Sequence, residues 1–353
     1  MDRNFIAFTL IKIVCVIGAV LTMFAYSVLA ERKISASIQD RVGPNRVALP
    51  GISSVPLIGP FLTQLGFWQP IADGLKAFLK EDFTPSYVRK AYFWLAPAIT
   101  LAPSFLTVAV IPFGSQLGGQ RMVIADLNVG ILYTFGIVSL GVYGIVLAGY
   151  AANSKYPFLG GIRSGAQMIS YEIAMGMSVV PLFLIVGDLN LSRVIEYQAQ
   201  NRWLICYAPL SFLIFLVSSF AETNRLPFDL PECETELVAG YNTEYSSMKF
   251  ALFFMGEYAN MIAGSAMMVT LFFGGWTLPL GGLDQPATTP WKGLLHIGIF
   301  IGKVLVLMVL FIWVRWMLPR FRYDQLMDLG WRRFIPLALG NILFYATLLW
   351  ARA

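Results

Sequence analysis

The sequence has few residues that could hold a metal or a redox centre. Among its 353 residues are one histidine, His296, and three cysteines, Cys15, Cys206 and Cys233, which form no C-x-x-C pair. Iron–sulfur clusters and structural zinc sites need closely spaced thiolates, and a bis-histidine haem needs a second histidine. A glycine-rich nucleotide fingerprint is missing as well. The chain therefore has no visible redox or nucleotide apparatus of its own, and any redox role needs partners.

Charge is also scarce. Charged residues make up 13% of the chain and hydrophobic residues 57%, whereas soluble domains average about 25% charged residues. This composition is typical of a polytopic membrane protein. The first apolar segment, residues 5–30, is too long for the core of a signal peptide, and no small-residue cleavage site follows it. We therefore expect it to stay in the protein as a membrane span.

Apolar segments long enough to cross a hydrocarbon core of about 30 Å recur through the chain. We predict an all-α polytopic membrane protein: a single membrane domain over residues 1–353, with eight transmembrane helices. The predicted spans are residues 5–30, 91–113, 128–151, 166–187, 203–221, 248–276, 294–318 and 334–351.

Basic residues give the orientation of these spans. Most of the 25 lysines and arginines fall in, or next to, the odd-numbered loops. By the positive-inside rule these loops face the cytoplasm, and both termini lie outside. Long basic loops around one acidic loop indicate a docking face for a partner protein of mixed charge.

The first inside loop, residues 31–90, contains a short helical pattern. Ile71, Leu75, Phe78 and Leu79 recur at helical spacing, while the charged residues of the same stretch lie off that stripe. The spacing predicts a short amphipathic helix lying in the membrane interface. A solvated linker helix is the alternative.

The third inside loop, residues 222–248, is strongly acidic. Concentrated carboxylates between membrane-grade helices tend to line ion or ligand paths. Arg225, three residues after Glu222, could pair with that carboxylate across one helical turn. Arg225 is followed by a single further base, Lys249, just beyond the loop, whereas the acids of the loop are Glu222, Asp229, Glu232, Glu234, Glu236 and Glu244.

Two prolines shape the start of this acidic loop. Pro227 and Pro231 flank Phe228 and Asp229, so the backbone is predicted to be broken and extended there. A bent loop with an aromatic ring and several polar groups suits a cavity for an amphipathic ligand. The aromatic face would pack a ring, and the polar groups would address its oxygens.

Ionisable residues also occur within the predicted spans. Each would cost about 2.5–3.5 kcal/mol at the centre of an isolated membrane helix. One interpretation is that they pair with one another as structural ion pairs between helices. The functional interpretation is a chain of protonatable groups that passes charge across the bundle. The residues concerned are Lys12 and the four that we predict for proton coupling, Glu172, Glu222, Glu257 and Lys303.

Sequence blocks spread along the chain resemble one known family. They are AERK and QDRVGPN within residues 30–45, ADGLKAFLKED at 72–82, NSKYPFLGGIRSGAQMISYE at 153–172, AETNRLPFDLPECETELVAGYNTEY at 221–245 and RWMLPRFRYDQLMDLGWR at 315–332. In this order they resemble one membrane subunit of respiratory NADH–quinone oxidoreductase (complex I), known as the H subunit in bacteria and as subunit 1 in mitochondria. AETNRLPFDLPE alone is highly specific.

The resemblance implies a role as well as a fold. Members of this family have eight helices and lie in the membrane arm, under the peripheral arm that carries flavin and iron–sulfur clusters. They form most of the quinone tunnel and begin a hydrophilic axis toward antiporter-like pumping subunits. The chain would then be a subunit of the H+-translocating enzyme without a redox centre or catalytic residue of its own. Quinone (ubiquinone) would be the substrate, and FMN, iron–sulfur clusters and NADH would belong to partner subunits.

The resemblance also implies neighbours and a location. Peripheral quinone-module subunits would bind the inside face, and small membrane subunits and antiporter-like subunits would lie laterally, together with membrane lipid. No nucleic acid partner is implied. The location would be the bacterial inner (plasma) membrane, because nothing in the sequence resembles a transit peptide.

The roles of family residues carry over by position. Glu172, Glu222 and Glu257 would belong to the acidic path from the quinone cavity to the membrane interior. No metal site is implied. The quinone-binding set would be Arg225, Phe228, Asp229, Glu232, Glu234 and Glu236 in the loop beside the cavity, and Arg32, Arg41, Asp73, Arg163 and Arg315 lining or bracing the tunnel.

Two other functions stay open. One is the homologous membrane subunit of an energy-converting hydrogenase or of a related ferredoxin- or deazaflavin-linked complex, and the complete RLPFDLPE and RYDQLM blocks favour complex I over it. The other is a stand-alone ion transporter. Transporters often have repeated halves with paired broken helices, and the two halves of this sequence share no motif.

Overall fold

The structure is a computed structural model that describes residues 3–48, 58–231, 234–279 and 282–351. Over these residues the chain is almost entirely helical, apart from one antiparallel hairpin of strands β1 (Gln116–Leu117) and β2 (Gln120–Arg121). A 3-10 turn covers Gly240–Asn242, and a π-helical turn covers Leu329–Phe334. The α-helices are α1 (Arg3–Ile38), α2 (Ile58–Leu65), α3 (Gln69–Leu79), α4 (Lys90–Val108), α5 (Gly130–Val138), α6 (Leu140–Ala151), α7 (Lys155–Val186), α8 (Leu191–Gln200), α9 (Leu204–Tyr207), α10 (Pro209–Glu222), α11 (Glu234–Leu237), α12 (Ser247–Phe272), α13 (Pro290–Met317), α14 (Tyr323–Asp328) and α15 (Ile335–Trp350).

Six helical segments in the described residues are long and apolar enough to cross a membrane. They are Ile6–Ile38 in α1, α4, Gly130–Ala151 across α5 and α6, α7, α13, and Tyr323–Trp350 across α14 and α15. The apolar α10 is shorter, at 14 residues. Helix α12 has 26 residues but contains Lys249, Glu257 and Asn260 among its apolar ones. The all-helical membrane fold is therefore confirmed, with six candidate spans.

Helix boundaries differ from the predicted spans where polar residues remain helical. Helix α1 continues past residue 30 to Ile38, and α7 begins at Lys155, well before residue 166. Charged residues end an apolar run in the sequence, but they leave the hydrogen bonds of the helix intact. The predicted span 203–221 is instead divided, because α10 begins at Pro209, which suits a first helical turn and cannot continue a preceding one.

Helix α12 lies at the centre of the bundle. It contacts α1, α4, α10 and α13, and its methionines Met261, Met267 and Met268 are buried in the core. Helix α1 has the opposite environment, since apolar side chains such as Val14 are exposed along it. The polar residues of α12 therefore face protein neighbours, where they can find partners, and lipid-facing apolar residues occur on outer helices such as α1.

The acidic loop is pressed against the first turns of α7. A Cβ atom on Gly160 of α7 would lie 2.9 Å from the Cα of Gly240 and 2.9 Å from the backbone nitrogen of Tyr241. Only glycine allows two backbones to come this close. The 3-10 turn of the acidic loop is thus fixed on α7.

The short amphipathic helix predicted for the first inside loop is confirmed as α3. None of its described residues is buried, and the predicted stripe of Ile71, Leu75, Phe78 and Leu79 is between 47% and 84% exposed. An exposed apolar stripe on a short helix suits the membrane interface better than water.

Candidate functional site

A single carboxylate joins four parts of the chain at one end of the bundle. Glu31, near the polar end of α1, accepts hydrogen bonds on Oε2 from Arg225 Nη1 at 2.7 Å and from the Tyr258 hydroxyl at 2.6 Å. Its Oε1 accepts a hydrogen bond from Arg315 Nη1 of α13. The Arg225 guanidinium also lies 4.0 Å from the centre of the Tyr258 ring. We call these four residues the Glu31 cluster; they connect α1, the acidic loop, α12 and α13.

The Glu31 cluster is buried and incompletely paired. The side chains of Arg225 and Glu31 are 2% and 9% exposed. Burial lowers the pKa of Arg225, but Tyr258, Glu31 and the nearby Glu257 raise it overall, so the guanidinium stays charged. Its Nε and Nη2 donors have no hydrogen-bond partner in the described part of the chain. Unsatisfied buried donors cost free energy, so these two are available to an acceptor that reaches them.

A second buried ion pair lies in the same loop. The Asp229 carboxylate accepts a hydrogen bond from Arg320 Nη2 at 3.0 Å, and the Asp229 side chain is 11% exposed. Burial raises the pKa of Asp229 to about 6; Arg320 opposes this shift and Glu257 adds to it. Asp229 therefore titrates close to physiological pH, which a solvated aspartate would not do.

One amide of α7 holds the turn that follows α10. Gln167 is fully buried, and its Nε2 donates hydrogen bonds to the carbonyl oxygens of Ala221 at 2.7 Å and of Phe228 at 2.8 Å. Asn224 between them has φ +50, a left-handed conformation that turns the chain away from the axis of α10. Arg225 is therefore not one helical turn from Glu222, and the predicted pairing of these two residues is wrong: Arg225 pairs with Glu31.

Phe228, predicted to lie beside a cavity, is buried in an aromatic cluster. Its ring centre is 5.7 Å from that of Tyr171 and 5.4 Å from that of Phe321. The backbone nitrogen of Phe321 donates a hydrogen bond to the carbonyl oxygen of Pro227 at 3.1 Å. The loop is therefore anchored to the segment before α14 as well as to α7.

The predicted acidic path has a polar surround within the bundle. Glu222, at the end of α10, lines a cavity of about 30 Å³ together with Thr107, Thr134 and Asn260. Glu172 of α7 is close enough to Glu222 to interact with it electrostatically. The cavity exceeds the volume of about 10–15 Å³ that one water needs. These residues could therefore hold water between α4, α5, α10 and α12.

Glu257 connects this cavity with the Glu31 cluster. It accepts a hydrogen bond from the Tyr241 hydroxyl at 3.0 Å, and it interacts electrostatically with both Arg225 and Asp229. Asn260 lies one turn further along α12, on the same helix face. Glu257 thus lies between the Glu31 cluster and the cavity that Glu222 lines.

Other predicted residues lie around this site as bracing pairs. Arg32 and Asp73 form an ion pair at 2.8 Å between α1 and α3, and Arg163 and Glu236 form one at 2.6 Å between α7 and α11. Arg41 donates a hydrogen bond to Gln39 at 2.6 Å near the end of α1. Glu232 and the side chain of Glu234 lie outside the described residues.

The two lysines of the predicted spans bind backbone oxygens. Lys303 Nζ donates hydrogen bonds to the carbonyls of Phe273, Gly275 and Thr277 at 2.7, 3.0 and 2.6 Å, and it lies 4.6 Å from the centre of the Trp203 ring. Lys12 Nζ binds two carbonyls of the segment 121–123 in the same way. The interpretation that the charges in the spans pair mutually is therefore wrong for both lysines within the described chain.

Sequence reasoning missed several residues that build the site. Glu31 follows a long apolar run directly and precedes two basic residues, a pattern typical of the end of a span. Tyr258 and Asn260 are polar positions next to Glu257 in an apolar helix, and this spacing could have indicated them. Gln167 carried no signal of its own, since its role depends on how the loop folds back.

Known proteins match the chain along nearly its whole length. A family model described as NADH dehydrogenase matches residues 11–346. Of the two H subunits of NADH-quinone oxidoreductase that are numbered 1, the one from Cytophaga hutchinsonii is 48% identical over 330 residues, 92% of this chain and 91% of that protein. The other, from Geobacter metallireducens, is 48% identical over 351 residues, 98% of each chain. The H subunit from Flavobacterium johnsoniae is 44% identical over 348 residues, 97% of this chain and 95% of that protein. The chain belongs to the NADH dehydrogenase family, as a member similar to the H subunit of NADH-quinone oxidoreductase, a membrane subunit of complex I.

Proposed function

We propose that this chain forms the quinone-binding tunnel of an H+-translocating NADH–quinone oxidoreductase and couples quinone reduction to proton pumping. It would do so as an eight-helix subunit of the bacterial inner membrane with both termini outside, and with α3 in the membrane interface. The observation that carries the proposal is the Glu31 cluster, where a buried arginine with two unused donors lies at the end of an apolar cavity.

That cavity has the shape and polarity of a path for an isoprenoid quinone. It has a volume of about 280 Å³ and lies between α1 and α13, lined by apolar residues and a few hydroxyls. Two of its lining residues are Ala30, next to Glu31, and Ile312, three residues from Arg315. An apolar tail suits such walls, and the ring oxygens need donors such as those of Arg225.

Coupling would begin with the charge change at the quinone. Reduction of a quinone takes up protons, so the charge balance around Arg225 and Asp229 changes. Asp229 has a pKa of about 6 and therefore responds to small changes in nearby charge. Glu257 interacts with both residues and leads to the cavity of Glu222 and onward to Glu172. The acidic loop would transmit the change to pumping subunits.

Electrons would come from partner subunits that hold NADH, FMN and iron–sulfur clusters. Those peripheral quinone-module subunits would dock on the inside face, where the acidic loop and the basic loops lie. Small membrane subunits and antiporter-like subunits would lie beside the bundle. The names of the relatives, which are subunits of NADH-quinone oxidoreductase, support this arrangement.

A photoreactive quinone tests the proposal in the assembled complex. We expect labelled peptides within residues 22–30 and 305–312, and we expect excess unlabelled quinone to prevent the labelling. Ala30→Trp should raise the KM for quinone and leave NADH–ferricyanide activity unchanged, because bulk in the cavity obstructs the quinone and not the donor side. Labelling elsewhere, with an unchanged KM in Ala30→Trp, would refute the tunnel assignment.

A further inference from the structure

A second cavity opens at the same end of the bundle, outside the proposed quinone path. It has a volume of about 280 Å³ and lies between the segment before α4 and the turn that joins α6 to α7. Its polar lining is formed by Arg89, Tyr150, Asn153, Ser154 and Lys155. None of these residues lines the cavity between α1 and α13, so this second cavity has no part in the proposed function.

The charge around this cavity is positive and unbalanced. Arg89, its neighbour Lys90 and Lys155 are all exposed, and none of the three forms an ion pair with a carboxylate in the described chain. Arg89 donates a hydrogen bond to the Tyr150 hydroxyl, and its guanidinium lies 4.4 Å from the centre of that ring. Stacking holds the guanidinium in place while most of its donors stay available.

One carboxylate reaches this region and is already engaged. Glu244 accepts a hydrogen bond from the Tyr87 hydroxyl at 2.6 Å. Asn153 in turn donates a hydrogen bond to the Tyr87 carbonyl at 3.3 Å and so connects this pair to the edge of the cavity. Glu244 forms no ion pair with Arg89 or Lys155 in the part of the chain that the structure describes, so it does not neutralise their charge.

The backbone adds donors to the two cations. Asn153 has φ +50, and Ser154 has an extended backbone and makes no side-chain capping bond to α7. The first amides of this 32-residue helix, at Lys155 and Tyr156, are therefore free of an intrahelical or side-chain acceptor. Such amides suit the oxygens of a phosphate, and they supplement Arg89 and Lys155.

Apolar and aromatic side chains continue from the cavity along two helices. Tyr143, Val146 and Tyr150 recur on one side of α6 and are exposed. On α7 the exposed residues Phe158 and Ile162 follow the cavity at helical spacing. Tyrosine is typical of the headgroup level of a membrane, and aliphatic residues are typical of the acyl-chain level below it.

We propose that this cavity binds the phosphate of an anionic phospholipid, whose acyl chains lie along the exposed faces of α6 and α7. Arg89, Lys155 and the first amides of α7 hold the phosphate. Three cations without carboxylates favour a lipid with net negative charge over a zwitterionic one, because each basic residue near the surface contributes about 1 kcal/mol of attraction to anionic lipid. The apolar faces distinguish a lipid from a free phosphate ion.

The test uses the assembled complex, purified from its own membranes and reconstituted into phosphatidylcholine vesicles with a minor fraction of phosphatidylglycerol. In one sample the phosphatidylglycerol has a photoreactive acyl chain, and in a matched sample the phosphatidylcholine has it. Labelled peptides are identified by mass spectrometry. We expect phosphatidylglycerol to label α6 and α7 about tenfold more, per lipid present, than phosphatidylcholine does.

Variants distinguish this site from general attraction to the surface. Arg89→Gln with Lys155→Gln should reduce the preference for phosphatidylglycerol to near unity. Arg89→Lys with Lys155→Arg should keep most of the preference, since the charge is retained. The matched control, Lys76→Gln with Lys80→Gln, removes the same charge from exposed positions of α3 and its C-terminal end and should leave labelling of α6 and α7 unchanged.

Three outcomes would overturn the proposal. Equal labelling by both lipids in the unmodified complex would show that the cavity does not select anionic lipid, and this result does not depend on any variant folding. Loss of the preference in excess inorganic phosphate, at constant ionic strength, would indicate a site for the free ion. Absence of lipid labels on α6 and α7 would mean that another subunit covers this face.

Discussion

The two ends of the helix bundle hold their buried charges in different ways. At the end with the hairpin, Lys303 and Lys12 donate to backbone carbonyls. At the end with the acidic loop, Glu31 and Arg225 bind each other and further side chains, and two donors of Arg225 lack partners in the described chain. The same kinds of charged residue are therefore used in two distinct environments.

The difference lies in what each charge can exchange. A lysine bound to three carbonyls of one turn cannot change partners without unfolding that turn. A carboxylate shared by two arginines and a tyrosine can lose one partner and keep the others. Buried charge pairs contribute little net stability, but breaking one leaves the remaining charge at high cost. We infer that the carbonyl-bound lysines are structural and that the Glu31 cluster can respond to a ligand.

Removing the charge of Glu31 should have the largest effect. Glu31→Gln would leave Arg225 buried beside Arg315 without a countercharge, at a cost of about 3–5 kcal/mol. We expect little assembled complex, a lower thermal transition and loss of NADH–quinone activity in what assembles. Arg193→Gln is the control, because its partner Glu196 is exposed and such pairs contribute about 0–1 kcal/mol. The comparison of the two ends fails if both variants behave alike.

Replacing Lys303 should come next and should affect stability alone. Lys303→Met removes hydrogen bonds from a charged donor to three carbonyls that follow α12, and bonds of this kind are each worth about 1.5–3 kcal/mol. We expect a lower thermal transition and unchanged turnover per assembled complex. The sequence predicts Lys303 for proton coupling, and reduced pumping at unchanged stability would support that role over the structural one.

The sequence predicts helices and charges better than it predicts partners. The amphipathic stripe of α3 and the membrane character follow from local spacing and composition, which depend on few residues. The pairing of Arg225 with Glu31 joins residues 194 positions apart, and no local pattern encodes it. The left-handed turn at Asn224, held by Gln167, redirects the loop and makes the expected local pair impossible.

Glu222→Gln tests the part of the acidic end that lies deepest in the bundle. The substitution keeps the size of the side chain and removes its ability to carry a proton, which relays of this kind need. We expect coupled NADH–quinone activity and proton pumping to fall about tenfold, with NADH–ferricyanide activity intact. Glu196→Gln, on α8, is the matched control and should have no effect. Full coupled activity in an assembled Glu222→Gln complex would remove Glu222 from the path.

Asp229 should give the smallest effect, visible as pH dependence. Its pKa is raised from 3.8 to about 6 mainly by burial, so the folded state binds the proton more tightly than the unfolded chain does. Protonation therefore adds to the free energy of unfolding as the pH falls through about 6 toward 3.8, and mild acid should not unfold the loop. It should instead weaken the ion pair with Arg320, which needs the charged carboxylate.

Mild acid should thus change coupling and leave the structure in place. Between about pH 7 and pH 5 we expect the ratio of NADH–quinone to NADH–ferricyanide activity to fall a few-fold, with a midpoint near the pKa of Asp229, while the thermal transition holds or rises. In Asp229→Asn the ratio should be low and flat over this range, because the neutral amide resembles the protonated acid. If the step near the pKa of Asp229 persists in Asp229→Asn, it belongs to another group, and the acidic end of the bundle is then no more responsive through Asp229 than the carbonyl-bound end is through Lys303.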